Sequence, residues 1–357
     1  MLAPFESVSP NSPDSNEASA RRYGGEFPTL RRPGIDLGCA ILPAVDNGDA
    51  DRDAADAPRG EQERALAAAI GPLGVWDAGL CYAPARVARA AASELEHAGY
   101  GAAWLHEGGG DAFAVAGVLL AATRRLVLGT SIASIWRHEP GQMAAAARTL
   151  GEAYPGRFVL GIGPAHEGAG SWHGRRYARP LSDLAEYMDA MEAAPWGGPR
   201  PDPPVPRVIS ALGPRMLDLA RRRSRGAIPY LVPVAHTRYA RERLGPEPVL
   251  AVEQAIVLGE TDEDAQALAR AHVAGYLGAV NYRNNLLRCG FSEHDVAGEG
   301  SDELVQGLVA WGDKTAVAAR VREHLDAGAD HVCVQPLRDD YVSIPVAELS
   351  ALAELLG

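Results

Sequence analysis

The stretch LVLGTSIASIWRHEPGQMAAAARTLGEAYPGRFVLGIG, residues 126–163, reads as one complete strand–helix–strand unit. Leu126 to Thr130 is an apolar run too short for a helix, and it closes on the small polar pair Thr130-Ser131. Met143 to Tyr154 is Ala-rich and helical by composition. Pro155-Gly156 stops that helix, and Phe158 to Ile162 is a second apolar run closed by Gly163. Both strands end in small residues: Ser131, Ala133 and Ser134 after the first, Gly161 and Gly163 in the second. In a barrel of parallel strands, catalytic and cofactor-binding groups sit at those carboxyl ends. Small residues there leave room for a flat ligand beside the backbone.

The alternation extends in both directions. Gly74-Val75-Trp76 is a short strand, Arg86 to Ala98 a helix stopped by Gly99, and Ala102 to Leu105 the second strand. Asp111 is placed to cap a helix that runs to Ala122. Beyond the quoted unit, Leu181 to Ala194 is an amphipathic helix, and a Pro-rich connection leads to the strand Arg207 to Ala211. Gly213 opens the next helix, and Ala227 to Leu231 and Val249 to Leu258 are further strands. Thr261, with Asp262, Glu263 and Asp264, caps and charges a long helix as the macrodipole favours. Asn281 to Trp311 is an excursion, Lys314 to Ala327 the next helix, and His331 to Gln335 the closing strand. This order predicts an α/β fold, a (β/α)8 TIM barrel, with the excursion set before its last helix–strand unit.

An open dinucleotide-binding sheet is the competing architecture, and it requires G-x-G-x-x-G after its first strand. Here Gly161-Ile162-Gly163 is followed by Pro164-Ala165-His166, and it comes after the fourth strand. That reading fails. Residues 1–71 are rich in Asp, Pro, Gly and Ser and are expected to be a mobile, mostly disordered extension, with Glu61 to Ile70 a candidate helix within it. The barrel is then expected over 72–357.

The formal net charge of −12 argues against a nucleic-acid or anionic-membrane surface. No apolar run approaches the length of a membrane helix. Arg21-Arg22 is followed by a polar, Gly/Pro-broken stretch and is not read as an export signal. Cys39, Cys81, Cys289 and Cys333 lie far apart without CxxC spacing, so free thiols in a reducing cytoplasm are expected. His166, Glu167 and His173 lack metal-ligand spacing, and no metal site is expected.

GTSIASIW (129–136), AAARTLGEAYPGRFVLGIG (145–163) and SALGPRML (210–217) together resemble the bacterial luciferase-like family of flavin and deazaflavin oxidoreductases. The similarity runs in order from about Gly74 to Leu337. It implies an enzyme of the deazaflavin branch, using coenzyme F420 for hydride transfer with a small organic substrate, and a homodimer. FMN with oxygen, on the same fold, is the alternative, and a catalytically silent binding partner is a third reading.

The resemblance also implies site residues. Gly213-Pro214-Arg215, with Ala211 before it, matches the turn that holds the cofactor phosphate, and a Gly-Pro pair also opens ordinary helices. Ser131-Ile132 matches a bulge with a non-prolyl cis peptide that presses a side chain against the ring, where a plain strand end is the other reading. Ser134 and Gly163 would lie at the ring edge, and Trp76 either walls the ring or packs in the core. Glu107 matches an acidic cofactor contact or is a rim residue, and Gly108-Gly109-Gly110 after it is expected to be a flexible loop. His166, at the fourth strand's end, is either the proton-transfer group or a solvated loop residue. Tyr82, Trp136, Trp172 and Gln335 are further candidates for the pocket.

Overall fold

The computed structural model describes residues 60–166, 177–259 and 261–356. Its strands are β1 (Leu73–Trp76), β2 (Ala102–Leu105), β3 (Val127–Thr130), β4 (Ala133–Ser134), β5 (Phe158–Gly163), β6 (Arg207–Ile209), β7 (Gly226–Ala227), β8 (Val249–Val257), β9 (Val309–Trp311) and β10 (His331–Pro336). All pairings are parallel. Eight strands follow one another as β1-β2-β3-β5-β6-β7-β8-β10, and β10 pairs back onto β1 with Leu73 opposite Val332, which closes the barrel. The two extras sit outside that ring: β4 pairs with β5 and β9 with β8.

The helices in chain order are α1 (Glu61–Ile70), α2 (Gly79–Tyr82), α3 (Ala85–His97), α4 (Ala112–Leu120), α5 (Pro140–Ala153), α6 (Pro180–Glu192) and α7 (Pro214–Arg223). They continue as α8 (Val234–Leu244), α9 (Asp262–Leu277), α10 (Val280–Arg288), α11 (Asp302–Leu308), α12 (Lys314–Asp326) and α13 (Val346–Leu356). Local chemistry sets their ends. Asp111 accepts from Ala114 N at 2.9 Å and Thr261 caps α9, as expected. Helix α5 starts three residues earlier than Met143 because Pro140 is preorganised for a first helical position. Strand β7 is only Gly226–Ala227, shorter than the expected run to Leu231: Pro229 has no N–H to donate to a ladder, and Leu231 lies in the left-handed region at φ 55. Helices α8 and α13 were not anticipated.

Alternate strand residues point in and out. Leu73, Val75, Ala103, Leu105, Leu128, Phe158 and Leu160 face the helices in the main core. Ala102, Trp104, Val127, Val159, Val208 and Cys333 fill the barrel interior. Trp104 is the largest of these. It fits because Gly129 beside it has no Cβ, which would overlap the indole. Its Nε1 donates to His331 Nε2 at 2.9 Å, so that imidazole carries its proton on Nδ1, which meets the Gly71 carbonyl at 2.7 Å.

Helix α1 corrects the expected boundary at residue 71. Leu66 and Ile70 are buried within the interior cluster, where they plug the barrel at the amino ends of its strands. Buried Glu63 adds an ion pair to Arg225 at 3.2 Å. Residues 60–71 therefore belong to the barrel. The remainder of the expected extension, residues 1–59, lies outside the described residues.

Candidate active site

A cavity of about 660 Å³ opens at the carboxyl ends of the strands. Of the residues expected from the sequence, Trp76, Glu107, Ser131, Ile132, Ser134, His166, Ala211 and Gly213 line it. Gly163 stands just behind, where a Cβ would collide with Ser210 and press on Ile132. Pro214 and Arg215 begin α7, and the Arg215 side chain is exposed. Trp136 is half-buried beside the cavity, with Nε1 donating to the Pro164 carbonyl at 2.6 Å. Gln335 is buried away from it. Glu167, Trp172 and His173 lie outside the described residues.

The bulge after β3 is held from several sides. Glu96, buried at the end of α3, accepts from the amides of Arg124, Arg125 and Leu126 and so aims the start of β3. Thr130 Oγ1 donates to the Gly161 carbonyl at 2.7 Å and locks β3 to β5. The Ser131-Ile132 peptide is cis. Ser131 N donates to the Leu105 carbonyl at 2.6 Å, and Trp76 Nε1 donates to the Ser131 carbonyl at 3.2 Å. Three strand ends are thereby tied together.

Glu107 belongs to the same scaffold. Its Oε2 accepts from Ser134 N at 2.8 Å, its Oε1 meets His138 Nε2 at 2.5 Å, and Arg137 Nη1 donates to its backbone carbonyl at 2.6 Å. Both carboxylate oxygens are engaged with protein groups. His106, two residues beyond inward-facing Trp104, lines the cavity as well. Its ring lies between Trp76, at 4.8 Å between centroids, and Tyr82, at 5.4 Å. Nδ1 is buried and has no hydrogen-bond partner among the described residues. Burial pushes this imidazole down to about 4, so it is neutral near pH 7. Burial also lowers His166 from its ordinary value.

Two glycines of the run after Glu107 serve close packing. A Cβ on Gly108 would overlap the His106 imidazole and the Tyr82 hydroxyl, and one on Gly109 would overlap the Tyr82 ring. Two further features were missed by the sequence reading. Arg288, on α10, brings Nη2 to 3.9 Å from where a Cβ on Gly213 would sit. Tyr230, Tyr276 and Tyr282 form an aromatic wall on the side of the cavity reached by β7, α9 and α10. Period-two alternation along β2 would have found His106. Nothing local marks Arg288 or the tyrosines: Arg288 and Tyr282 come from the excursion, Tyr276 from α9 and Tyr230 from the loop after β7.

The model of one known family, described as luciferase-like monooxygenase, matches residues 72–331. The chain belongs to the luciferase-like monooxygenase family. Among curated members, an F420-dependent glucose-6-phosphate dehydrogenase of Microbacterium testaceum is 44% identical over 63 residues, 17% of this chain and 19% of that protein. Another of that description, from Beutenbergia cavernae, is 33% identical over 150 residues, 35% of this chain and 44% of that protein. The matched stretches span less than half of either relative. Solved structures of luciferase-like fold superpose over much more of the chain. An F420-dependent secondary alcohol dehydrogenase in complex with an F420-acetone adduct gives a TM-score of 0.64 at 15% identity, covering 80% of this chain and 99% of that one. The oxygenating constituent of 3,6-diketocamphane monooxygenase of Pseudomonas putida, in complex with FMN, gives 0.59 at 15% identity, covering 80% and 97%. At such identities these likenesses establish the barrel fold. Among the described residues, no helix is long and apolar enough to cross a membrane.

Proposed function

We propose that this chain is an oxidoreductase that binds coenzyme F420 in the cavity at its strand ends and exchanges hydride with a small organic substrate. The observation that carries the reading is the convergence of Trp76, the Ser131–Ser134 bulge and the Gly213 turn on one cavity. The F420-dependent relatives support it.

The residues fit such a group. Side-chain-free Gly163 lets Ser210 and Ile132 pack closely behind the cavity wall that both of them line. His106 lines the cavity, and its buried Nδ1 has no hydrogen-bond partner among the described residues. Gly213 and Arg215 present backbone amides at a helix start, Pro214 between them having none, and Arg288 adds a cation beside them, the combination a phosphate needs. When bound, the deazaflavin supplies the carbon that gives or takes hydride. The chain positions the reactants, excludes water and handles the proton. His106 is the better-held imidazole for that proton and His166 the second. Glu107, with both oxygens engaged, is a positioning residue for the bulge.

FMN with oxygen remains the alternative on this fold. The silent-barrel reading loses its motive, since packing against Tyr82 and His106 accounts for Gly108 and Gly109. The resemblance further supports a homodimer, which light scattering on the purified protein tests. Titration with F420 and, separately, with FMN tests the function. F420 binding supports the reading, and FMN binding in its place turns it to the monooxygenase.

A further inference from the structure

We propose that the substrate is an uncharged molecule with an aromatic or other broad apolar ring, seated against the wall of Tyr230, Tyr276 and Tyr282, and not a phosphorylated or carboxylate-bearing one. The inference rests on the deazaflavin reading and deepens it by naming the substrate class.

The residues assigned to the coenzyme come from the ends of β1, β3, β5 and β6. The tyrosine wall comes from different elements: Tyr230 follows β7, Tyr276 is on α9 and Tyr282 on α10. Ring centroids stand 5.4 Å apart for Tyr230 and Tyr276, 5.1 Å for Tyr276 and Tyr282, and 6.3 Å for Tyr230 and Tyr282. The Tyr230 and Tyr276 hydroxyls meet each other at 3.0 Å. Two of the three polar tips are thus mutually satisfied, and the rings are left as the contact surface. Met216 and Ile228 also line the cavity. Aromatic pairs in such a preformed frame bind another ring by offset or edge contacts at little entropic cost.

Charge on the described lining is already balanced. Glu107 is engaged by His138 and Ser134, and Arg137 faces the same carboxylate at 4.0 Å. The chain's one lysine, Lys314, is exposed at the start of α12 and does not line the cavity. Arg288 lies beside Gly213, at the turn assigned to the coenzyme's phosphate. Glu253 lies in the barrel wall, its Oε2 accepting from Leu231 N at 2.9 Å. Burial raises this carboxyl to about 8, so it brings no charge near pH 7. An anion or cation placed against the tyrosines would be desolvated without a counter-charge among the described residues, which is costly. A neutral ring meets no such penalty.

If the substrate is a secondary alcohol, a cavity imidazole would take its O–H proton as the ketone forms, and the bound coenzyme would supply the hydride acceptor. Calorimetric titration of the F420-loaded protein with 1-phenylethanol, acetophenone and glucose 6-phosphate tests the inference. The two aromatic compounds are expected to bind about tenfold tighter than the sugar phosphate, or better. Tyr282→Leu, which keeps apolar bulk, should weaken them about tenfold and leave F420 affinity unchanged. Equal or tighter binding of glucose 6-phosphate, or no binding of either aromatic compound, overturns the substrate class while leaving the F420 reading intact. A Tyr282→Leu protein that stays folded by circular dichroism and binds the aromatic compounds normally overturns the wall. Failure to bind F420 in the first place removes the underlying reading instead.

Discussion

Arg288 Nη2 lies 3.9 Å from the position a Cβ would occupy on Gly213. Gly213 has φ −86, which any residue adopts, and it is the N-cap of α7. Gly213→Asp should therefore fold normally, since Asp is a favoured N-cap. Its carboxylate would sit beside Arg288 and occupy the place of a phosphate. F420 affinity is expected to fall by about two orders of magnitude with no loss of melting temperature. Arg288→Ala should cost about 1–3 kcal/mol of binding, and Arg215→Ala less, because its side chain is exposed. Fluorescence titration of each variant separates these outcomes.

The proton-transfer assignment predicts a different phenotype. His106→Gln should leave F420 affinity within a few-fold of the parent and lower turnover by roughly 10²–10⁴. His106 titrates near 4, so its base form persists into acid and the acidic limb of kcat/KM should lie well below pH 6.5. His166→Gln should have the smaller effect on rate. The reverse ranking would transfer the role to His166.

Helix α1 carries a stability prediction. Ile70 is fully buried among strand residues at the barrel's amino end. Ile70→Ala removes that packing and should cost about 2–4 kcal/mol in chemical denaturation. Deletion through residue 70 should be worse. A truncated protein with unchanged stability would return α1 to the extension.

Acid should destabilise the fold before its carboxylates titrate. Burial lowers His106, His236, His272 and His331 to about 4 and His324 to about 3. Below about 6.5 the unfolded chain takes up protons at these five sites that the folded chain refuses, so stability falls as pH drops from about 6.5 to 4. Glu253 works in the opposite sense. Its carboxyl, raised to about 8, holds a proton in the fold that the unfolded chain releases, and it adds stability as pH falls below 8. Five sites outweigh one. Urea midpoints measured between pH 7.5 and 4.5 should decline, and a flat profile would contradict the neutral, buried state of the histidines.

Much of the barrel was legible because its signals are local. Apolar runs of four to six residues, glycine stops and side-chain caps at Asp111 and Thr261 each state their structure within a few positions. Strand ends were less certain where tertiary contacts decide them. The exit from β7 is set by Glu253, twenty-two residues away, receiving the Leu231 amide. The candidate site divides the same way. Trp76, Ser131, Ile132, Ser134 and Gly213 could be placed from phrases in order, and they do line the cavity. Choosing between adjacent His106 and Glu107 required knowing that distant Ser134 and His138 engage the carboxylate. Gly108 and Gly109 read as slack because the ring that fills their space, Tyr82, is more than twenty residues distant.

A deazaflavin is the proposed occupant of this cavity. Parallel titrations of the purified full-length protein with F420 and with FMN, followed by fluorescence, test it most directly. An F420 dissociation constant on the order of micromolar or tighter is expected, with FMN binding at least about tenfold weaker. FMN binding as tight as F420, or tighter, would contradict it.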